Sequence, residues 1–163
     1  HHLESLTSKL AELGVDMKID IDSITIHGGL DNLHPIDIKT LPYPGFATDI
    51  QQPLTALLTQ AQGQSIVTET IYTERFKHCF ELEKMGAKIN VMTPSSFING
   101  PTPLSGAEVS ATDLRCGACL VIAGLIADGV TTIRNIYHIE RGYEHIVEKL
   151  TAIGAQIWRE TFD

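Results

Sequence analysis

F-A-T-D-I-Q-Q-P-L-T-A-L-L (residues 46–58) and S-A-T-D-L-R-C-G-A-C-L-V-I-A-G-L-I-A (residues 110–127) decide how this chain folds. Each opens on Ala-Thr-Asp and runs on into a helix-like segment. After Asp49 come Leu54, Leu57, Leu58 and Ala61, then the β-rich run S-I-V-T-E-T-I-Y (65–72). After Asp113 come Leu120, Val121, Ile122 and Leu125, then V-T-T-I-R-N-I-Y (130–137). Both runs end in Ile-Tyr and are followed by Glu-Arg, at Glu74-Arg75 and at Glu140-Arg141. A second helix then ends at Gly86 in M-G-A-K-I and at Gly154 in I-G-A-Q-I. The opening L-A-E-L-G-V-D-M-K-I (10–19) repeats this helix-Gly-strand piece a third time. Repeats of this length mark one supersecondary unit stacked on copies of itself. The first copy is only a tail, so the chain is expected to begin in mid-repeat and to be a fragment.

Local chemistry reads each unit as helix–strand–helix–strand. Leu3, Leu6, Leu10 and Leu13 share one helical stripe, and Gly14 stands where a C-cap belongs, as do Gly86 and Gly154. Thr48 and Thr112 are expected N-caps, with Gln51 completing a capping box after Thr48. Pro53 would remove an early hydrogen bond from a helix begun at Asp49, which predicts a start a residue or more later. Met17–Ile21, Ser23–His27, Lys88–Met92 and Ser96–Ile98 read as short strands. Turn signals at Gly28-Gly29, Pro42–Gly45 and Gly100–Pro103 separate them. The helices are more apolar than the strands, which predicts helices inside and sheets facing water, the inverse of the doubly wound arrangement.

A chain of 163 residues with 43% hydrophobic and 20% charged residues fits one domain with a sizeable core. The longest apolar stretch, Ala118 to Ala127, falls well short of the roughly 20 residues that span a bilayer, and no signal peptide is read at the start. With 12 Lys plus Arg against 20 Asp plus Glu, the net charge is −8. That balance argues against nucleic acid or an anionic membrane as partner. It leaves room for a small anionic substrate held by a few arginines. Cys116-Gly117-Ala118-Cys119 matches C-x-x-C, yet it opens a run that is apolar almost all round, where small buried cysteines behave as alanine would. With Cys79, three cysteines suggest no disulfide framework, and a reduced cytoplasmic protein is expected.

L-P-Y-P-G-F-A-T-D (41–49), T-E-T-I-Y-T-E-R-F (68–76), L-S-G-A-E-V-S-A-T-D-L-R (104–115), A-G-L-I-A-D-G (123–129) and Y-H-I-E-R-G-Y-E (137–144) carry a family resemblance. Together they resemble the C-terminal part of the UDP-N-acetylglucosamine enolpyruvyl transferases, over about Leu3 to Arg159. The resemblance implies an α+β fold, the enolpyruvyl-transferase fold, an inside-out α/β barrel or prism. Each of its two domains has three βαβαββ units with helices inside. Residues 3–163 would form part of the C-terminal domain, about two repeats, with the other domain and one repeat absent. It further implies transfer of enolpyruvyl from phosphoenolpyruvate to the 3′-hydroxyl of UDP-N-acetylglucosamine with release of phosphate, the first committed step of peptidoglycan synthesis. The implied partners are those two substrates and the missing domain, with no cofactor and no metal.

Residue by residue, the resemblance places Asp49 at the sugar's 3′-hydroxyl as the group that takes its proton. Such a role needs an acceptor within hydrogen-bond reach, and a helix N-terminus favours negative charge there. Ile71 falls on a position whose backbone contacts the UDP-sugar; from its residues alone it would be a buried strand position. Arg141 matches an arginine that approaches the phosphate and carboxylate of phosphoenolpyruvate as the domains close, a task suited to a guanidinium fork. Arg75 matches another cleft arginine, and Asp113 and Arg115 match a D-L-R at the same cleft. Asp113 repeats Asp49, so helix capping is its alternative role. The family's reactive cysteine and active-site lysine lie on portions absent here, and Cys79, Cys116 and Cys119 match neither. Ala47, Cys116 and Cys119 depart from the family pattern without touching its chemistry.

Three rival readings stand beside this one. They are the sister enzyme 3-phosphoshikimate 1-carboxyvinyltransferase, a catalytically inert binding module, and a thiol redox protein acting through C-G-A-C. H-I-E-R-G-Y-E and P-G-F-A-T-D favour the UDP-sugar enzyme over its sister, and the joint presence of Asp49 and Arg141 argues against decay.

Overall fold

Two helices too apolar to face water set the architecture. In the computed structural model, which describes residues 2–162, α2 (Thr48–Leu58) and α4 (Leu114–Ile126) pack along each other in the interior. His1 and Asp163, the last residue of the expected domain, lie outside the described residues. Helix α4 buries Cys116 through Val121 and Ala123, and α2 buries Leu54, Thr55, Ala56 and Leu58. Small residues at the contact allow a close approach, with Cys119 against the backbone of Ala56. Helix α3 (Lys77–Lys84) packs on α4 through Cys79 and Leu82.

The strands lie around this interior. β3 (Asp37–Lys39), β4 (Gly63–Thr68), β5 (Lys88–Met92) and β6 (Ser95–Gly100) form one sheet in the order β3-β4-β6-β5. β3 runs parallel to β4 with Ile38 opposite Val67, and β6 is antiparallel to both β4 and β5 with Ile98 opposite Ile89. In chain order this is β3-α2-β4-α3-β5-β6, one complete βαβαββ unit as the resemblance implied. It is preceded by α1 (Glu4–Leu13) and the hairpin β1 (Asp16–Ile19) and β2 (Ile24–His27). It is followed by β7 (Glu108–Ser110), α4, β8 (Thr132–Arg134), α5 (Tyr137–Glu140) and α6 (Ile146–Ala152), with β7 and β8 parallel. Among the described residues the strands form three separate sheets and no closed barrel. The hairpin is the wettest part: β2 is exposed throughout, and Ile19, Ile21, Ile24 and Ile26 all face solvent.

The repeat is written into the backbone at three helix ends. Gly14, Gly86 and Gly154 all take a positive φ, of 98°, 100° and 105°. Beyond each, the next residue's N–H bonds five residues back: Val15 to Leu10, Ala87 to Leu82, Ala155 to Leu150. This is the Schellman ending that glycine permits without a Cβ penalty.

Some local expectations fail for identifiable reasons. Thr48 is not a cap. It is the first residue of α2, and its hydroxyl donates to Glu69 instead. Nor does Thr112 cap α4. Asp113 does, accepting from the Cys116 N–H at 2.8 Å. Gln51 is buried and makes no capping box. Pro53 sits inside α2, which begins before Asp49 and not after it. Near the N-terminus the missing N–H costs a single intrahelical bond. The run 65–72 leaves the sheet after Thr68, so Ile71 is an exposed loop residue and not a buried strand position.

The thiols are buried and inert. Burial pushes Cys79 up to about 12, raises Cys116, and raises Cys119 well above an ordinary thiol. A redox C-x-x-C needs an accessible thiolate of lowered pKa, so C-G-A-C is helix packing. No helix among the described residues is long and apolar enough to cross a membrane.

His78, fully buried on α3, has an Nδ1 with no hydrogen-bond partner among the described residues. Burial pushes its pKa down to about 3, against the pull of Asp113 and Glu69. The unfolded imidazole protonates near 6.5, so between pH 6.5 and 3 the unfolded chain binds the extra proton and the fold weakens as pH falls. Urea unfolding should lose stability from this group with a slope that rises from about 0.7 kcal/mol per pH unit at pH 6.5 toward about 1.4 near pH 5. His78→Leu should remove that slope; an unchanged slope would show that His78 protonates within the fold.

Candidate active site

The start of α2, the loop after β4 and the start of α4 converge on one patch. Asp49, second residue of α2, presents a carboxylate that is 66% exposed. Arg115 on the first turn of α4 donates from Nε to Asp49 Oδ1 at 2.6 Å. Arg75, from the loop after β4, brings Nη1 to within 3.7 Å of the same oxygen. Both guanidiniums use Oδ1; Oδ2 makes no ion pair among the described residues. Three of the residues singled out in the sequence thus meet across 66 positions of chain. Ion pairs this exposed contribute roughly 0–1 kcal/mol, so the cluster shapes a surface and does not hold the fold.

Behind it stands a carboxylate of the opposite kind. Glu69 is buried, and its Oε1 accepts from the Thr48 hydroxyl at 2.6 Å and from Gln51 Nε2 at 3.4 Å. Oε2 accepts from the Thr40 hydroxyl at 2.7 Å and from the backbone N–H groups of Ile71 and Tyr72 at 3.0 and 3.1 Å. Burial works to raise its pKa, but the hydroxyls of Thr48 and Thr40 and the amides of Tyr72 and Ile71 outweigh it and hold the group below the usual carboxylate range. Thr48 is the link outward: its oxygen accepts from Arg75 Nη1 at 3.0 Å while its proton goes to Glu69. Arg75 also stacks on the Tyr72 ring, 3.7 Å from its centroid, and Gln51 holds the Arg75 carbonyl at 3.1 Å.

The other expected residues stand nearby without joining the cluster. Ile71 has its amide committed to Glu69, which leaves its carbonyl as the available backbone group. Asp113 commits Oδ1 to the α4 cap. Arg141 closes α5 in an exposed position and makes no ion pair or side-chain hydrogen bond among the described residues. Its neighbour Gly142 packs so closely on Leu114 that a Cβ there would come within 2.5 Å of a Leu114 methyl. The Arg141 segment is thereby docked on the first turn of α4, one residue from Arg115.

Sequence reasoning missed Glu69, Thr40, Gln51 and Tyr72. A signal was available in S-I-V-T-E-T: Ser65, Val67 and Glu69 alternate inward, so the pattern aims a carboxylate at the core. A buried carboxylate requires hydrogen-bond donors around it.

A mixed-charge patch thus lies where the starts of two buried helices meet. The chain is similar in structure to the enolpyruvyl transferase NikO from Streptomyces tendae, with a TM-score of 0.87 and 33% identity over 94% of this chain and 36% of that one. EPSP synthase from Acinetobacter baumannii, at 21% identity and a TM-score of 0.68, shares the fold. Residues 1–150 match the family model described as EPSP synthase (3-phosphoshikimate 1-carboxyvinyltransferase), and the chain belongs to that family. Among curated relatives it is 58% identical over 159 residues to UDP-N-acetylglucosamine 1-carboxyvinyltransferase 2 of Bacillus subtilis (strain 168). It is likewise 58% identical over 160 residues to the protein of that name from Listeria monocytogenes serovar 1/2a. These matches cover 98% of this chain but only 37–38% of the relatives' length.

The two carboxylates should separate cleanly on substitution. Asp49→Asn should cost under about 1 kcal/mol in chemical denaturation, being exposed. Glu69→Ala, which strands several buried donors, should cost about 3 kcal/mol. Equal costs would contradict the division between an exposed and a supporting carboxylate.

Proposed function

We propose that the chain is part of the C-terminal domain of an enzyme that transfers enolpyruvyl from phosphoenolpyruvate to the 3′-hydroxyl of UDP-N-acetylglucosamine, releasing phosphate. The observation that carries this reading is the meeting of Asp49, Arg115 and Arg75, in which one carboxylate oxygen is clamped and the other left open. The 58% identity to relatives named for the UDP-sugar favours that acceptor over shikimate 3-phosphate.

In this reading Oδ2 of Asp49 accepts the sugar hydroxyl and takes its proton as the oxygen becomes a nucleophile. Arg115 and Arg75 hold Oδ1 and so fix the direction in which the second oxygen points. The Ile71 carbonyl contacts the UDP-sugar. Arg141, free of any ion pair among the described residues, is the guanidinium that meets the phosphate and carboxylate of phosphoenolpyruvate when the missing domain closes. Asp113 joins the reacting centre through its uncommitted oxygen while its other oxygen caps α4. The reaction belongs to peptidoglycan synthesis in the cytoplasm, and through it to cell shape and division.

Phosphate release tests the assignment. The full-length enzyme containing this segment should release phosphate from phosphoenolpyruvate with UDP-N-acetylglucosamine and not with shikimate 3-phosphate, and the segment alone should show no turnover. Asp49→Ala should cut kcat roughly 10²–10⁴-fold, as for a lost general base. A loss under about tenfold would leave Asp49 a structural residue at the start of α2. Release only with the shikimate ester would move the protein to the sister reaction.

A further inference from the structure

Glu69 is fully buried and touches no surface at which a ligand could bind, yet the chain of hydrogen bonds through Thr48 and Arg75 to the Asp49 patch begins at it. Its two oxygens gather donors from three separate segments: Thr40 after β3, Thr48 and Gln51 on α2, and Ile71 and Tyr72 in the loop after β4. The same segments are tied to one another around it, with the Thr70 N–H donating to the Thr40 hydroxyl at 2.8 Å and the Thr70 hydroxyl to the Thr40 carbonyl. A hydroxyl has one proton to give. Because Thr48 spends its proton on Glu69, the lone pairs of its oxygen face Arg75, and the guanidinium settles there beside Asp49 and over Tyr72.

We propose that Glu69 is a positioning residue: it polarises Thr48 to place Arg75 against Asp49, and fixes the Ile71-Tyr72 backbone that carries the ring beneath Arg75. The proposal rests on the enolpyruvyl-transfer reading for its kinetic consequences and on geometry alone for its structural ones. An amide cannot replace the carboxylate. Whichever way the side-chain amide introduced by Glu69→Gln were turned, its NH₂ would face donors: Thr48 and Gln51 on one side, Thr40 and two backbone amides on the other. Turned toward Thr48, the NH₂ would donate to the hydroxyl oxygen and compete with Arg75 for it; turned toward Thr40, it would leave the Ile71 and Tyr72 amides without their acceptor.

The test compares Glu69→Gln, Thr48→Val, their combination and Thr48→Ser in the full-length enzyme, by kinetics and by ¹H–¹⁵N spectra of the Arg75 guanidinium. Each of the first two should lower kcat/KM for the UDP-sugar at least about 30-fold. The combination should fall no more than about threefold below the worse single, because both cut one relay. Thr48→Ser, which keeps the hydroxyl, should recover to within about threefold of the wild type. The Arg75 guanidinium should show slowly exchanging signals in the wild type and the serine variant, and lose them in Glu69→Gln, Thr48→Val and their combination. Multiplicative losses, or Arg75 signals unchanged in Glu69→Gln and Thr48→Val, would overturn the proposal. Thr48→Val covers the case in which Glu69→Gln fails to fold. If the wild type itself releases no phosphate, the functional reading falls, and the Arg75 spectra alone decide whether Glu69 positions it.

Discussion

The burial of α2 against α4 is the constraint from which the other features of the chain follow. Helix α4 carries almost no polar surface between Cys116 and Ala123, and its small residues let α2 come close enough for thiol to meet backbone. Once these helices hold the interior, the four-stranded sheet and the β7–β8 pair cover them from outside, while the β1–β2 hairpin stays exposed to solvent. That arrangement puts both helix starts at the same end of the interior. Asp49 and Arg115 lie 66 residues apart in sequence and 2.6 Å apart in space because two copies of one unit are laid side by side.

The two copies have not kept the same chemistry at the same place. Ala-Thr-Asp opens both helices, but α2 begins at its threonine and α4 begins after its aspartate. The phase differs because something different waits behind each. Behind Thr48 lies Glu69, which draws the hydroxyl inward and turns the aspartate to the surface. In the second copy the corresponding position is Arg134, which pairs with Glu108 and offers the threonine nothing. Asp113 is therefore drawn to the end of its own helix. One buried carboxylate separates an aspartate that faces solvent from one that caps.

Much of this was legible in the residues. The helix stops at Gly14, Gly86 and Gly154, the apolar character of α4 and the strand Lys88–Met92 all follow from local chemistry, and the internal repeat makes the unit visible. The resemblance set Asp49, Arg75 and Arg115 at one cleft, but that both guanidiniums pair with a single oxygen of Asp49 was not legible in the residues. Nor was the capping pattern, because a threonine before an aspartate satisfies the local rule whichever way its hydroxyl turns. Only the partner 21 residues away decides it. For the same reason the break after Thr68 was hidden: T-E-T-I-Y has strand composition, but Glu69 turns two of the following amides onto itself and takes them from the sheet. Strands β3 and β7, three residues each, are too short for alternation to register.

The exposed isoleucines of the β1–β2 hairpin bear on how the chain behaves in bulk. A two-stranded ribbon with Ile19, Ile24 and Ile26 open to water has edges that pair with no other strand among the described residues and an apolar face open to other copies of itself. At neutral pH eight net negative charges keep such copies apart. Near the isoelectric point of about 5.3 that colloidal repulsion vanishes while the stickiness of the hairpin does not. For the folded chain, solubility is expected to be lowest in mildly acidic solution and to recover on either side.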